Sequence, residues 1–453
     1  MKVNNNISAV ITNNQLLRTE DSLAQSMERL SSGLKINHSK DNPSGMAISN
    51  KMQAQIDGLD QASRNSSDGS SVLETADGAL NVVTSMLQRM RELSVQAANG
   101  TNSQSEKEAI QLEIDKLKEE VDRVSSTTEF NTKTLLNGSL DNRVYADNVS
   151  RIQISEEVTP GTYNFTIDTA AEQAKLGGGT IPASLTNSGT VSFNGSTVEL
   201  TAGMSREEVY EALRDAAEIG EATITSSSGE ALEVKTTAYG ANAYLKIDVS
   251  DPALAAELGL GASQTASGTD AKVTIDTASE FSTTATVKYE GNKLTFTDVK
   301  GFEMTMMLDA DATGDVSMNV TDMGPMVLQI GANENQQMSV KIPSCDTECL
   351  YIDTLDVTTV NGATRALEQL DGAIAAVNKI RSALGAYTNR LESATESLDA
   401  TSENMNSAIS RISDVDMATE MTEYTRLNVL AQTATSALSQ ANELPQMALQ
   451  LLQ

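Results

Sequence analysis

The sequence predicts an α+β protein in which both chain ends form a long antiparallel helical coiled-coil bundle and a strand-rich insertion occupies the middle. Three observations carry that expectation. Apolar residues recur at alternating steps of three and four in both terminal arms, the step shortens to two between them, and turn-forming residues mark the changeovers. A chain patterned this way has to bring its two ends together.

The first arm shows the spacing at Leu73, Ala76, Leu80, Val83, Leu87 and Met90, then again at Ile110, Ile114, Leu117, Val121 and Val124. The last arm repeats it from Leu367, Leu370, Ile374 and Val377, through Leu384, Tyr387, Leu391, Ala394 and Leu398, to Met405, Ile409 and Ile412. A stripe this narrow is a coiled-coil seam and needs partner helices. Gln, Asn, Ser and Thr fill the remaining positions, so neither arm has a core of its own. One bundle built from both arms is the simplest solution. The extreme ends, 1–42 and 408–453, have the weakest stripes. Ordering entropy opposes long helices that bury only a seam, and these two segments are expected to be disordered in the isolated chain and to fold on association. Residues 43–143 with 325–407 then make a helical rod carrying a small β-hairpin, and 144–324 the insertion.

Asn137-Gly138 stops the first helical arm, and from about residue 144 the pattern has period two, rich in Thr, Val, Ile, Gly and Ser. Asn194-Gly195 sits between the alternating residues Val191 and Val198, which suits a type I′ hairpin. Ser205-Arg206-Glu207-Glu208 is a capping box that opens one short helix to about Glu218. Strands are expected again at Ala222–Thr225 and Leu232–Thr236, followed by a hairpin from Tyr289 to Phe296 turned by Gly291-Asn292. Gly177-Gly178-Gly179 and the stretch from Ser263 to Asp270 read as linkers. The insertion therefore divides into one or two modules, split near 263–270.

Composition narrows the function. The chain has 453 residues, no Trp, 3% aromatic residues and one His, His38, so a His-based catalytic centre is excluded. No phosphate-cradling Gly loop, no HExxH and no clustered ligand set occurs, and neither an enzyme activity nor a cofactor is expected. A formal net charge of -30 argues against nucleic acid and against anionic membranes as partners. No run approaches the roughly 18 apolar residues of a membrane span, and the opening Met1-Lys2-Val3-Asn4-Asn5-Asn6 lacks a secretory apolar core. Cys345 and Cys349 read as a free pair or a small local loop. Met304, Met306 and Met307 read as core filling. The Ser/Thr-rich middle carries Asn148-Val149-Ser150 and Asn164-Phe165-Thr166 triplets, which occur often by chance.

Four motifs carry a family resemblance: ERLSSGLKINHSKDNPSGMAIS from Glu28, LQRMRELSVQAANGTNS from Leu87, ISDVDMA from Ile412 and QANELPQMALQLLQ from Gln440. They resemble the terminal regions of bacterial flagellins, in order, over roughly the first 140 and last 130 residues. LQIGANENQ, Leu328 to Gln336, is similar to the hairpin beside the flagellin helices, and Phe193 to Leu260 resembles a small module seen in flagellin insertions.

The resemblance implies a subunit exported through the flagellar type III channel, which accounts for the missing signal peptide. Its ends would pack as coiled-coil layers in a secreted helical homopolymer used for motility. Open, non-closing contacts repeated by one operator generate such a filament. Implied assembly residues are Leu30, Leu34, Ile36, Ile412, Leu430, Leu438, Leu449, Leu451 and Leu452, with Gly33 to Gly45 as a polar hinge. Implied partners are a flagellar export chaperone, the filament cap protein and, on the host side, a flagellin-sensing Toll-like receptor. The surface implied for that receptor is Leu87, Gln88, Arg89, Leu93, Gln96, Ile110 and Glu113, with Leu117 where several members have Arg. The terminal leucines resemble the tail recognised by inflammasome receptors, and outer domains of flagellins are often O-glycosylated. A hook-filament junction protein, separable by copy number, and an exported coiled-coil adhesin, separable by binding without the arms, are the rival readings.

Overall fold

The computed structural model describes residues 6–155, 157–225, 230–276, 279–282, 284–299 and 301–450. Among the described residues seven helices form: α1 Ile7–Ser32, α2 Pro43–Ala97, α3 Gln104–Thr127, α4 Arg206–Ile219, α5 Pro252–Leu258, α6 Val360–Ser413 and α7 Met417–Gln450. The chain divides into two compact units, Met1–Gly69 with Leu328–Met338 and Arg390–Gln453, and Ser70–Val327 with Ser339–Asn389.

In the first unit α1 runs antiparallel to α7. The Asn6 amide donates to the Ala441 carbonyl at 2.8 Å, and Arg29 lies 4.0 Å from Glu420 at the other end. The covered face of α1 is Ala9, Thr12, Leu16, Thr19, Leu23, Ser26 and Leu30, an unbroken alternation of three and four steps. Three of those seven residues are Ser or Thr, which is why the stripe reads as weak. The isolated-chain disorder expected for 1–42 and 408–453 thus stands beside a structure that pairs α1 and α7, within those segments, through a thin seam. Asn6 caps α1 by accepting from the Ala9 N–H, and Gly33, at φ +74°, ends it. Two main-chain bonds then tie the chain ends: Lys35 N–H to the Ser413 carbonyl at 2.6 Å and Val415 N–H to the Gly33 carbonyl at 3.0 Å. Further along, Leu59, Ala62 and Leu398 pack with Ala332 and Met405. Ala332 belongs to the loop between paired strands Met326–Gln329 and Gln337–Val340. Gly58 lets that loop approach, since a Cβ there would stand 3.0 Å from the Ala332 methyl.

The second unit has a helical part and an insertion. The end of α2, α3 and the start of α6 bury the expected seam: Leu73, Ala76, Leu80, Val83, Leu87 and Met90 against Ile110, Ile114, Val121, Leu370, Val377 and Leu384. The insertion folds as two modules. One stacks a three-stranded sheet, in the order Gln173–Thr180, Ala231–Tyr239, Ala222–Ile224, with a four-stranded sheet, in the order Ser263–Ser267, Tyr244–Val249, Gly189–Phe193, Ser196–Leu200, and adds α4 and α5. The other holds two four-stranded sheets, Lys272–Ile275, Gly161–Thr169, Gly314–Thr321, Arg143–Tyr145 and Thr286–Glu290, Lys293–Thr297, Glu303–Leu308, Val149–Ile154. The first module is inserted into the second, with an antiparallel bridge from Glu172 to Thr269 across its base. The scarce aromatic residues concentrate in the second core, where Tyr163, Phe165, Phe281, Phe296 and Phe302 lie 4.8–5.8 Å apart. Met304 and Met306 are buried there while Met307, one step on, faces the other side of its strand.

The hairpin turn at Asn194-Gly195 has positive φ at both residues, as a type I′ turn requires, and Ser205 with Glu208 makes the capping box of α4. Two expectations are corrected. Gly177-Gly178-Gly179 is strand and not linker, because the sheet passes within touching distance of the end of α5: a Cβ on Gly179 would lie 3.0 Å from the Gly259 Cα, and one on Gly178 would meet Leu258 O and Leu260. The stretch from Ser263 is also a strand, paired with Tyr244–Val249. The changeover between modules is confined to the residues after Ser267.

Candidate functional site

Two helical faces gather the residues singled out from the sequence. Leu30 on α1 and Leu438 on α7 are half-buried, as is Ile412 near the end of α6, while Leu34, just past α1, and Leu430 on α7 are 37% and 41% exposed. Ile36 is 6% exposed and packs over Gly45. Leu449 falls within α7, and Leu451 and Leu452 lie outside the described residues. Sequence reasoning missed the larger feature. On the side of α1 away from the seam, Ile7, Val10, Ile11 and Leu17 are each more than half exposed, as is Met27 at the seam's edge, and Met417, Met421 and Val429 are comparably exposed on α7. These residues fall between the seam positions, so a search for one stripe passes over a second one.

The hinge residues hold the turn by short local bonds. Asp41 accepts from the Asn37 and His38 N–H groups, and the His38 bond is the larger cause that holds its carboxyl below the usual carboxylate range. Asn42 accepts from the Gly45 N–H at 2.9 Å and so orders the entry to α2. His38 itself meets Glu28 at 2.8 Å.

The second face lies on α2 and α3. Arg89 donates through Nε and Nη2 to Glu113 at 3.0 and 2.8 Å, and through Nη1 to Glu92 at 3.3 Å. The Glu113 and Glu92 hydrogen bonds push the guanidinium pKa up, so Arg89 is a fixed cation. Gln88, Gln96 and Glu113 are exposed beside it. Leu87, Leu93 and Ile110 are not: they are 0%, 2% and 6% exposed and belong to the bundle core. Arg89 and Leu93 do share one side of α2, yet the edge of the buried seam runs between them. The apolar residues this face does present are Val82, Val95 and Leu112, at 49%, 51% and 64% exposure, none of which the seam search selects. Val82, Arg89 and Gln96 are seven apart and form one stripe.

Among the described residues no group of three His, Cys, Asp or Glu side chains is placed to hold a metal ion, and no helix is long and apolar enough to cross a membrane. Cys345 and Cys349 are free thiols, and burial pushes both up to about 12, which keeps them protonated.

Residues 3–141 match the bacterial flagellin N-terminal helical region and 367–452 the bacterial flagellin C-terminal helical region. Flagellin B of Vibrio anguillarum is 33% identical over 456 residues, covering 100% of this chain and 99% of that protein. A flagellin of Clostridium tyrobutyricum is 34% identical over 446 residues, covering 98% and 99%, and Polar flagellin A of Vibrio parahaemolyticus is 32% identical over 457, covering 100% and 99%. With both helical regions matched and the relatives covered from end to end, the chain belongs to the bacterial flagellins, a family of structural, non-enzymatic filament proteins.

Proposed function

We propose that this chain is exported unfolded by the flagellar type III route and polymerises into an extracellular filament through the outer faces of α1 and α7. The observation that supports it best is the outer apolar face of α1, Ile7, Val10, Ile11 and Leu17. Leaving such a face in water forgoes roughly 25 cal/mol for each Å² that a neighbour covers. Copies related by one repeated operator cover it on every subunit. Residues 1–42 and 408–453 become fixed in that packing, an export chaperone shields them beforehand, and the cap protein guides their addition. On the same reading a host Toll-like receptor for flagellin binds Gln88, Arg89, Gln96 and Glu113, with Val82, Val95 and Leu112 as apolar contacts, and inflammasome receptors take the terminal leucines.

Electron microscopy of the purified chain with short flagellar seeds, beside a truncation lacking 408–453, tests the assembly reading. Filaments from the full chain alone support it. Growth from both chains, or from neither, overturns it.

A further inference from the structure

The chain contains four Asn-Gly pairs, at Asn99, Asn137, Asn194 and Asn361. An Asn-Gly pair can modify itself, because no side chain on the glycine hinders its main-chain nitrogen. That nitrogen loses its proton and attacks the asparagine Cγ. The bond from Cγ to the side-chain nitrogen breaks and ammonia leaves, which closes a five-membered succinimide. Water then opens the ring at either carbonyl, giving aspartate or isoaspartate. The step needs water alone, but it also needs a free amide nitrogen, a releasable side chain and a backbone able to move into the cyclic geometry.

Three of the pairs fail on structural grounds. Asn194 is held by three bonds: its Oδ1 accepts from the Lys246 N–H at 2.7 Å, and its Nδ2 donates to the Gly220 and Tyr244 carbonyls. At Asn361 the Gly362 nitrogen is committed to the Thr359 hydroxyl at 2.8 Å, inside the first turn of α6, with the Asp356 carbonyl close over it. Asn137 is exposed but its backbone is pinned. Leu136 beside it is fully buried, its carbonyl accepts from the Ser125 hydroxyl and the Cys345 N–H, and Gly138 packs on Ser344.

Asn99 meets all three conditions. Asn99, Gly100 and Thr101 are exposed in the loop between α2 and α3, and a Cβ on Gly100 would have nothing within 4 Å. The Gly100 N–H and the Asn99 Nδ2 have no partner among the described residues, and the loop's bonds are all local. Among the described residues the one bond to the Asn99 side chain is the Thr101 N–H donating to its Oδ1 at 3.3 Å, a long local bond that leaves the side chain releasable.

We propose that Asn99 is a site of spontaneous deamidation, the preferred one of the four. Its product places a new carboxylate just beyond the C-terminus of α2, the end of the helix that carries partial negative charge, and no basic residue stands in the last turn. Isoaspartate also lengthens the main chain within the turn closed by the Asn102 N–H to the Asn99 carbonyl. Ageing of the protein would therefore loosen the tip of the α2–α3 pair, next to Gln96.

The full chain is aged at mildly alkaline pH and mapped by peptide mass spectrometry, with isoaspartate read by enzymatic methyl transfer. Conversion at Asn99 should outrun each of the other three by at least about tenfold, a barrier difference of ~1.4 kcal/mol. In concentrated urea the four rates should converge. Gly100→Ala, which the open loop accommodates, should slow Asn99 without changing the circular dichroism spectrum. Another pair matching Asn99 in the folded chain, an unconverted Asn99, rates that keep their order in urea, or an undiminished rate in the folded Gly100→Ala chain would each overturn the inference.

Discussion

Arg151 grips Asp353 with both terminal nitrogens, at 2.8 and 2.6 Å, across 202 residues of sequence. Both side chains are 24% exposed, so the pair is largely withdrawn from water. Its setting explains its value. The segment that bears Asp353 is bound to α3 at three further points: Lys118 donates to the Asp353 carbonyl, the Asp122 carboxylate takes the N–H and hydroxyl of Thr347, and Gln111 both donates to the Leu355 carbonyl and accepts from the Val357 N–H. Arg151 ties that strap to the strand Val149–Ile154 of the insertion, together with Gln153, which donates to the Cys349 carbonyl, and the Tyr351 hydroxyl, which donates to the Arg151 carbonyl at 2.8 Å.

Arg151→Ala should therefore destabilise the chain by roughly 3 kcal/mol, the low end of the range for a buried ion pair broken on one side. Most of that loss comes from the carboxylate left behind. Asp353→Asn should cost less than Arg151→Ala, and the double substitution less than the sum. Urea unfolding of the three variants checks this, and additive losses would show that the two groups act independently.

The Arg89 and Glu113 pair predicts the opposite behaviour. Both side chains are about half exposed, at 51% and 47%, and solvent screening leaves exposed pairs with little effect on stability. Arg89→Asp should leave the urea midpoint unchanged, and on the receptor reading proposed above it should weaken binding to the flagellin-sensing receptor by at least about tenfold, since charge reversal at an interface removes attraction and adds repulsion. Glu113→Arg added to Arg89→Asp should restore the intramolecular pair without restoring binding. Recovery of binding by the double swap would mean that the pair acts only by holding α2 to α3.

These two pairs mark how far the sequence could be read. The seams, the type I′ turn and the α4 capping box were legible because each is encoded by neighbours a few residues apart. The strap around Asp353 was not, since its partners Arg151, Lys118 and Gln111 are more than 200 residues away and carry no local signature. Gly177-Gly178-Gly179 was misread for a related reason. A flexible linker and a strand pressed against another backbone both require glycine, and only the position of Gly259 distinguishes them. On the α2–α3 face, periodicity found Arg89 and Leu93 on one side of a helix but could not place the edge of a three-helix core between them.

Asp141 provides a pH test. Burial pushes its carboxyl up to about 6, against the weaker effects of the Asn142 N–H bond and the Lys341 charge, which lower it. The folded state then binds its proton more tightly than the unfolded state does. Its contribution is fully present below the unfolded value near 3.8 and is lost as pH rises through about 6. Asp141→Asn removes that loss. The stability difference between variant and parent should grow in favour of the variant between pH about 4 and about 6, by on the order of 2–3 kcal/mol. Subtracting the two curves cancels the many other carboxylates, and a flat difference would show that the carboxyl is solvated.

The two faces of α1 should separate folding from assembly. Leu16 is 9% exposed in the seam with α7, whereas its neighbour Leu17 is 51% exposed and Val10, seven residues before it, is 59% exposed on the outer side. Leu16→Ala removes buried methyl groups from a thin seam and should lower the helicity of the isolated chain, an effect amplified because each long helix depends on its partner for stability. Val10→Asp with Leu17→Asp touches nothing buried and should leave the circular dichroism and thermal transition of the isolated chain in place. Seeded growth should nevertheless slow by at least about tenfold, or ~1.4 kcal/mol at the growing end, because each added subunit must bury two carboxylates without a partner. Normal growth of the double variant would place the intersubunit contact elsewhere on the helices, and loss of its helicity would show that the outer row already packs within the single chain.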